Sequence, residues 1–224
     1  MVTMTRRLLS LAPALALVAL ALPSVAGAVL ATVTDPPDPT ATESCPGTAT
    51  VACTVVSRTT AIQEQVLNTA TPFKITTAGR IVGWQVTLSS PSRAQIKFFD
   101  ANEGGTAEAA LAIIRQVRGL DYKLEYQSPL VRLEPYFGQT ATFALPSSVA
   151  VTPGEVIALT VPTWAPALEL NAGRKSAWRA SRGRTQCAAV TTETAQSFAR
   201  GVAEYYCIYR SALIAYGAIE ISTP

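Results

Sequence analysis

Histidine does not occur anywhere in the 224 residues. Its absence excludes Ser-His-Asp and Cys-His nucleophile systems and the histidine-ligated zinc hydrolases. There is no Cys-x-x-Cys pair, Gly-x-Ser-x-Gly elbow, Ser-x-x-Lys motif, phosphate loop or dinucleotide fingerprint. Charged residues are few, at 15%. The formal net charge of +3 falls close to neutral once Arg6 and Arg7 are set aside, which is not the profile of a nucleic-acid binder. Beyond residue 28 no apolar run reaches the roughly 20 residues that a membrane span needs. The sequence therefore assigns no catalytic residue, no metal ligand and no cofactor.

What is present begins with a targeting signal. Arg6 and Arg7 precede an apolar run from Leu8 to Leu22, and Pro23-Ser24-Val25-Ala26-Gly27-Ala28 follows. Basic, apolar and small segments in that order make residues 1–28 a secretory signal peptide, cut after Ala26 or Ala28. Abundant alanine and threonine, with arginine favoured over lysine, fit a GC-rich bacterial genome. The expected location is secreted or extracellular.

Residues 29–44 include Thr32-Val33-Thr34-Asp35-Pro36-Pro37-Asp38-Pro39-Thr40. They read as an extended, mobile Pro/Thr-rich linker. One domain is expected from 45 to 224, with no repeat or second linker. Cys45, Cys53, Cys187 and Cys207 are an even set in an exported chain, which reads as two disulfides. Local pairing, Cys45–Cys53 and Cys187–Cys207, is the expected one of three. Such loops constrain the unfolded chain by about 2.5 and 3 kcal/mol in the loop-entropy model.

The dominant hydrophobic period is two, the mark of half-buried strands. Val82, Trp84, Val86 and Leu88 share a face, as do the apolar positions of Ala94–Phe98. Tyr122, Leu124 and Tyr126 share another, followed by Ala141, Phe143 and Leu145, and then by Ile157, Leu159 and Val161. Ala107–Ile114 is alanine-rich but reads as a strand because Ile113 and Ile114 are β-branched. Leu213–Ile221 reads as one long final strand. Turn residues punctuate these runs, at Ala78-Gly79, Pro153-Gly154 and Ala172-Gly173 for example. The expected fold is all-β: a single antiparallel β-sandwich, jelly-roll-like, of ten or more strands.

Val149-Ala150-Val151-Thr152-Pro153-Gly154-Glu155-Val156-Ile157-Ala158-Leu159 resembles a hairpin of secreted bacterial jelly-roll sandwiches, including carbohydrate-binding modules. The resemblance covers 11 residues. It implies a fold and transfers no binding residue.

Candidate ligand contacts come from aromatic and basic residues. Trp164 lies between Pro162 and Pro166, which hold the chain extended; it reads as a sugar-stacking platform or as a plug on the sandwich. Trp178 poses the same choice, whereas Trp84 reads as core. Arg174, Lys175, Arg179, Arg182 and Arg184 form a basic stretch with no acid between Glu169 and Glu193. Such a patch either holds an anionic polymer or keeps a loop solvated. With Tyr136, these residues make Trp164, Trp178, Arg174, Arg179 and Arg182 the expected ligand site.

Carboxylates offer less. Asp121 and Glu125 flank Lys123 on one strand face and read as a solvated, alternating-charge surface rather than a glycosidase pair. Glu155 reads as a hydrated turn charge. Asp100-Ala101-Asn102-Glu103-Gly104 looks like part of a calcium loop, but Leu111 stands where the closing glutamate belongs. The expected function is a non-catalytic secreted or surface-associated module whose partner is a polysaccharide or another cell-envelope polymer. The alternatives are a carboxylate-dependent glycan-active lyase or hydrolase, and a structural envelope protein.

Overall fold

The structure is a computed structural model that describes residues 29–34, 36–47, 52–188, 192–198 and 201–222. The expected signal peptide, residues 1–28, lies outside the described residues. In chain order the strands are β1 (Val29–Thr34), β2 (Thr42–Glu43), β3 (Val56–Val66), β4 (Thr69–Ala70) and β5 (Gly79–Thr87). Helix α1 (Arg93–Asn102) follows, then β6 (Glu108–Arg118), β7 (Asp121–Gln127) and β8 (Val131–Arg132). After a 3-10 turn at Glu134–Tyr136 come β9 (Thr140–Val151), β10 (Glu155–Ala165), β11 (Leu168–Leu170) and β12 (Ala177–Ala180). The last are β13 (Val202–Glu204), β14 (Cys207–Arg210), β15 (Ala212–Ile214) and β16 (Tyr216–Ser222).

These strands make an antiparallel, all-β fold with a curled half-barrel. One sheet runs β1-β16-β5-β9. The largest runs β13-β7-β6-β10-β3-β12-β14, with β4 on β3 and β8 on β6. A small third sheet runs β15-β11-β2. The core lies between the first two. There Phe73 stacks on Tyr216 at 4.3 Å, and the Tyr216 hydroxyl donates to the Ile157 carbonyl oxygen at 2.9 Å. Both disulfides pair locally, Cys45–Cys53 and Cys187–Cys207.

Ala107–Ile114 is strand, as read, and β10 is buried along nearly its whole length. Five readings are corrected. Residues 29–44 are not a free linker, because β1 pairs with β16 and β2 with β11. Ala94–Phe98 is helix: Ser92 caps α1, with Ser92 N–H donating to Gln95 Oε1 at 2.7 Å in a capping box. Phe99 and Ile96 turn inward on that helix, and Phe98 is left 59% exposed. The turn at Pro153-Gly154 is a corner rather than a hairpin, since β9 pairs with β5 while β10 pairs with β6 and β3. Gly154 at φ +93° lets the chain swing between sheets there. Leu213–Ile221 is two strands in different sheets, divided at Ala215.

The fifth correction concerns register. A bulge at Val82 in β5 leaves Ile81 buried beside Trp84, Val86 and Leu88, and Val82 only half-buried. An extra residue reverses the inside-outside alternation on one side of a bulge. Opposite it, Glu220 turns inward to 8% exposure. Gly79 leaves it room: a Cβ there would collide with the Glu220 carboxylate.

Candidate functional site

An apolar cleft of about 450 Å³ falls within the range of small-molecule sites. Its walls come from four places. The Cys53–Ser57 segment leads into β3; Phe99 and Glu103 sit at the end of α1; Leu168 and Leu170 come from β11; Trp178, Arg182, Tyr209, Arg210 and Ala212 come from β12 to β15.

Strand pairing builds one wall. Trp178 of β12 is the register partner of Tyr209 of β14. Cross-strand neighbours on one face bring their side chains together, and these two rings stack at 4.3 Å and 19°. The chain then turns. Arg182 N–H donates to the Ala180 carbonyl oxygen at 2.7 Å, and Tyr206 N–H donates to the Arg182 carbonyl oxygen at 3.0 Å. The Cys187–Cys207 disulfide ties this turn to β14.

Arg182 is only 3% exposed. Its guanidinium donates to the Ser57 carbonyl oxygen at 2.6 Å and to the Tyr209 hydroxyl oxygen at 2.8 Å. Its Nε has no hydrogen-bond partner. Among the described residues no carboxylate lies within ion-pair distance of it. Glu103, also in the lining, faces Arg58 Nε at 3.7 Å.

The helix wall is held from behind by Trp164. That residue is 0% exposed, inside β10 rather than on a loop. Its ring meets Phe99 at 5.1 Å and Phe137 at 5.6 Å. Its Nε1–H donates to Asp100 Oδ1 and to the Gly105 carbonyl oxygen, both at 3.0 Å. Trp164 therefore has no face free for a sugar; it is the plug. Asp100 is spent on this bond and belongs to a helix, so the calcium-loop likeness has no counterpart. No cluster of metal-ligating side chains occurs among the described residues.

The other expected contacts scatter. Tyr136 sits edge-on to Phe143 at 5.1 Å, half-buried, and does not line the cleft. Arg179 pairs with Glu64 at 3.0 Å and donates to the carbonyl oxygens of Tyr205 and Tyr206. Arg174 is exposed and also outside the lining. The basic stretch is thus not one patch. Of the six residues expected to bind ligand, the cleft joins only Trp178 and Arg182. Phe99, Leu168, Leu170, Tyr209 and Glu103 were not expected there. Ser92-x-x-Gln95 was a legible capping signal for the helix that carries Phe99. Nothing local marks the pairing that sets Tyr209 on Trp178.

The acids are also placed. Lys123 pairs with Glu125 at 3.2 Å on a solvated face. Glu155, by contrast, is buried: it accepts from Arg115 Nη2 and from Thr152 N–H, each at 2.7 Å. It staples the β9–β10 corner rather than being hydrated. A second, smaller cavity of about 150 Å³ holds Asp38 and Glu169. Burial raises Asp38, but hydrogen bonds from Gly173 N–H, Thr40 and the Ser176 hydroxyl outweigh it and leave the carboxyl at about 2. Burial, then repulsion from Asp38 and Glu43, pushes Glu169 up.

No protein-family model matches the chain. No curated protein matches it, and no solved structure does.

Proposed function

We propose that this chain is a non-catalytic binding module of an oxidising compartment outside the cytoplasm, which takes a small, largely apolar ligand into the cleft at Trp178, Phe99 and Arg182. The observation that carries this is the cleft: about 450 Å³ of mostly apolar wall with a few fixed polar groups. That combination is the usual form of a small-molecule site. The lining contains one carboxylate, Glu103, already facing Arg58, so binding accounts for the groups present without a reaction. Two formed disulfides support export. Among the described residues no helix is long and apolar enough to cross a membrane. A flat polysaccharide platform has less support, because Trp164 is enclosed and Trp178 is 5% exposed, its ring against Tyr209.

The test is titration with N-phenyl-1-naphthylamine, a neutral apolar fluorophore, against the folded protein. Saturable one-to-one binding is expected. Ala212→Phe, which fills the cleft from β15, should abolish it without unfolding the sheets. Absence of saturable binding, or binding untouched by that substitution in a folded variant, would sink the proposal.

A further inference from the structure

We infer that the cleft selects a monoanionic amphiphile, a carboxylate carried on a hydrocarbon or aromatic body, with Arg182 as its counter-charge. The inference rests on the reading of the cleft as a ligand site and names the ligand class.

The first observation is an electrostatic imbalance. Among the described residues, the partly sheltered cations Arg58 and Arg179 have acids, Glu103 and Glu64, and the more exposed Arg115 has Glu155. Arg182 is more deeply buried than any of them, and its two hydrogen-bond acceptors, the Ser57 carbonyl and the Tyr209 hydroxyl, are neutral. A buried charge without an opposite charge is costly. An anion brought into the cleft removes that cost and adds a charge-assisted hydrogen bond. The Arg182 Nε–H, buried and without a hydrogen-bond partner, is the donor left unsatisfied.

The second observation is the wall chemistry. Val56, Phe99, Leu168, Leu170 and Trp178 surround the cleft. They desolvate an apolar body and offer a sugar or a peptide few hydrogen bonds.

The third is the charge count. Glu103 shares the lining and its Oε2 makes no hydrogen bond. Arg58 answers that carboxylate, so Arg182 is the one buried guanidinium of the lining left for the ligand. A second negative charge on the headgroup finds no further buried cation in the lining, which it shares with Glu103, and this disfavours a phosphate monoester. Arg210, exposed and also in the lining, adds positive potential that draws anions in.

The experiment displaces bound N-phenyl-1-naphthylamine at pH 8 with dodecanoate, dodecan-1-ol and dodecyl phosphate. Dodecanoate should compete at concentrations about tenfold or more below the other two, as a charge-assisted hydrogen bond requires. Arg182→Met, which keeps length and removes charge, should bind the probe and lose the preference for acid over alcohol. Equal competition by acid and alcohol in the wild type overturns the inference and leaves the apolar cleft standing. Tighter competition by dodecyl phosphate overturns the single-charge assignment. A preference that survives in Arg182→Met overturns the role of Arg182. If that variant fails to fold, the wild-type comparison still decides. Absence of probe binding overturns this inference together with the proposed function.

Discussion

Tyr209 holds Arg182 in place: its hydroxyl oxygen accepts from Arg182 Nη1 at 2.8 Å while its proton goes to the Cys187 carbonyl oxygen at 3.3 Å. One phenol thus links a buried guanidinium, a disulfide-tied turn and the ring that stacks on Trp178. The cleft wall is one connected unit, and its parts should fail together.

Tyr209→Phe keeps the stack and removes the hydroxyl. The guanidinium loses one of two acceptors in a buried site. A loss of about 1–2 kcal/mol is expected, read as a melting-temperature drop of roughly 2–8 °C. Tyr209→Ala should cost more, since the Trp178 ring loses its partner. An unchanged melting curve for both variants by circular dichroism would refute the link.

Trp164 is expected to matter through α1. Trp164→Phe leaves Asp100 and the Gly105 carbonyl without their indole donor. A cost of about 1–3 kcal/mol follows, together with weaker probe binding because Phe99 leans on that ring. Urea titration and probe titration of one variant check both halves. Full probe affinity in the substituted protein would show that Trp164 does not position the helix wall.

Glu220 is buried at the bulge with Oε1 lacking a hydrogen bond. Burial raises its carboxyl above the ordinary 4.5. A raised acid costs stability once ionised, so the cost is absent below about pH 4.5 and grows as pH rises through the folded value. Glu220→Gln should therefore raise the melting temperature at pH 7 by roughly 2–4 °C, the size of about 1 kcal/mol. At pH 4 the two proteins should melt alike. Gly79→Ala, which crowds the same carboxylate, should destabilise at both pH values.

Asp38 works in the opposite direction. Despite burial, its hydrogen bonds hold it at about 2, below the free value of 3.8. Its stabilisation is full above pH 3.8 and is lost as pH falls through 2. Asp38→Asn should cost about 1–2 kcal/mol at neutral pH, with the gap to wild type closing between pH 4 and 2. A gap that stays constant over that range in urea unfolding would show that the charge is not what Asp38 contributes.

The fold class was legible because burial on one face of a strand writes itself into every second residue, as in Tyr122, Leu124 and Tyr126. The disulfides were legible because four cysteines allow three pairings and these lie in two sequence-local pairs. Where the reading slipped, the cause was local ambiguity. Ala94–Phe98 fits both a two-residue and a 3.6-residue period, and the Ser92 cap decides for helix. Val82 lost its place to Ile81 because a bulge is one inserted residue with no signature of its own. Val29–Thr34 was read as linker, although its Val and Thr residues suit a strand, because its pairing partner, the edge of β16, lies far away in the chain.

The sequence by itself determined a β-rich, disulfide-bonded chain without histidine and so without histidine-dependent hydrolytic chemistry, since composition and periodicity are properties of single segments. Only the tertiary structure decided which segments meet. Register across β12 and β14 set Tyr209 on Trp178, and helix α1 brought Phe99 into the same cleft as Arg182. Long-range pairing enclosed Trp164 in the core and left Arg182 buried with no acid at ion-pair distance among the described residues, because both outcomes depend on neighbours far away in the chain.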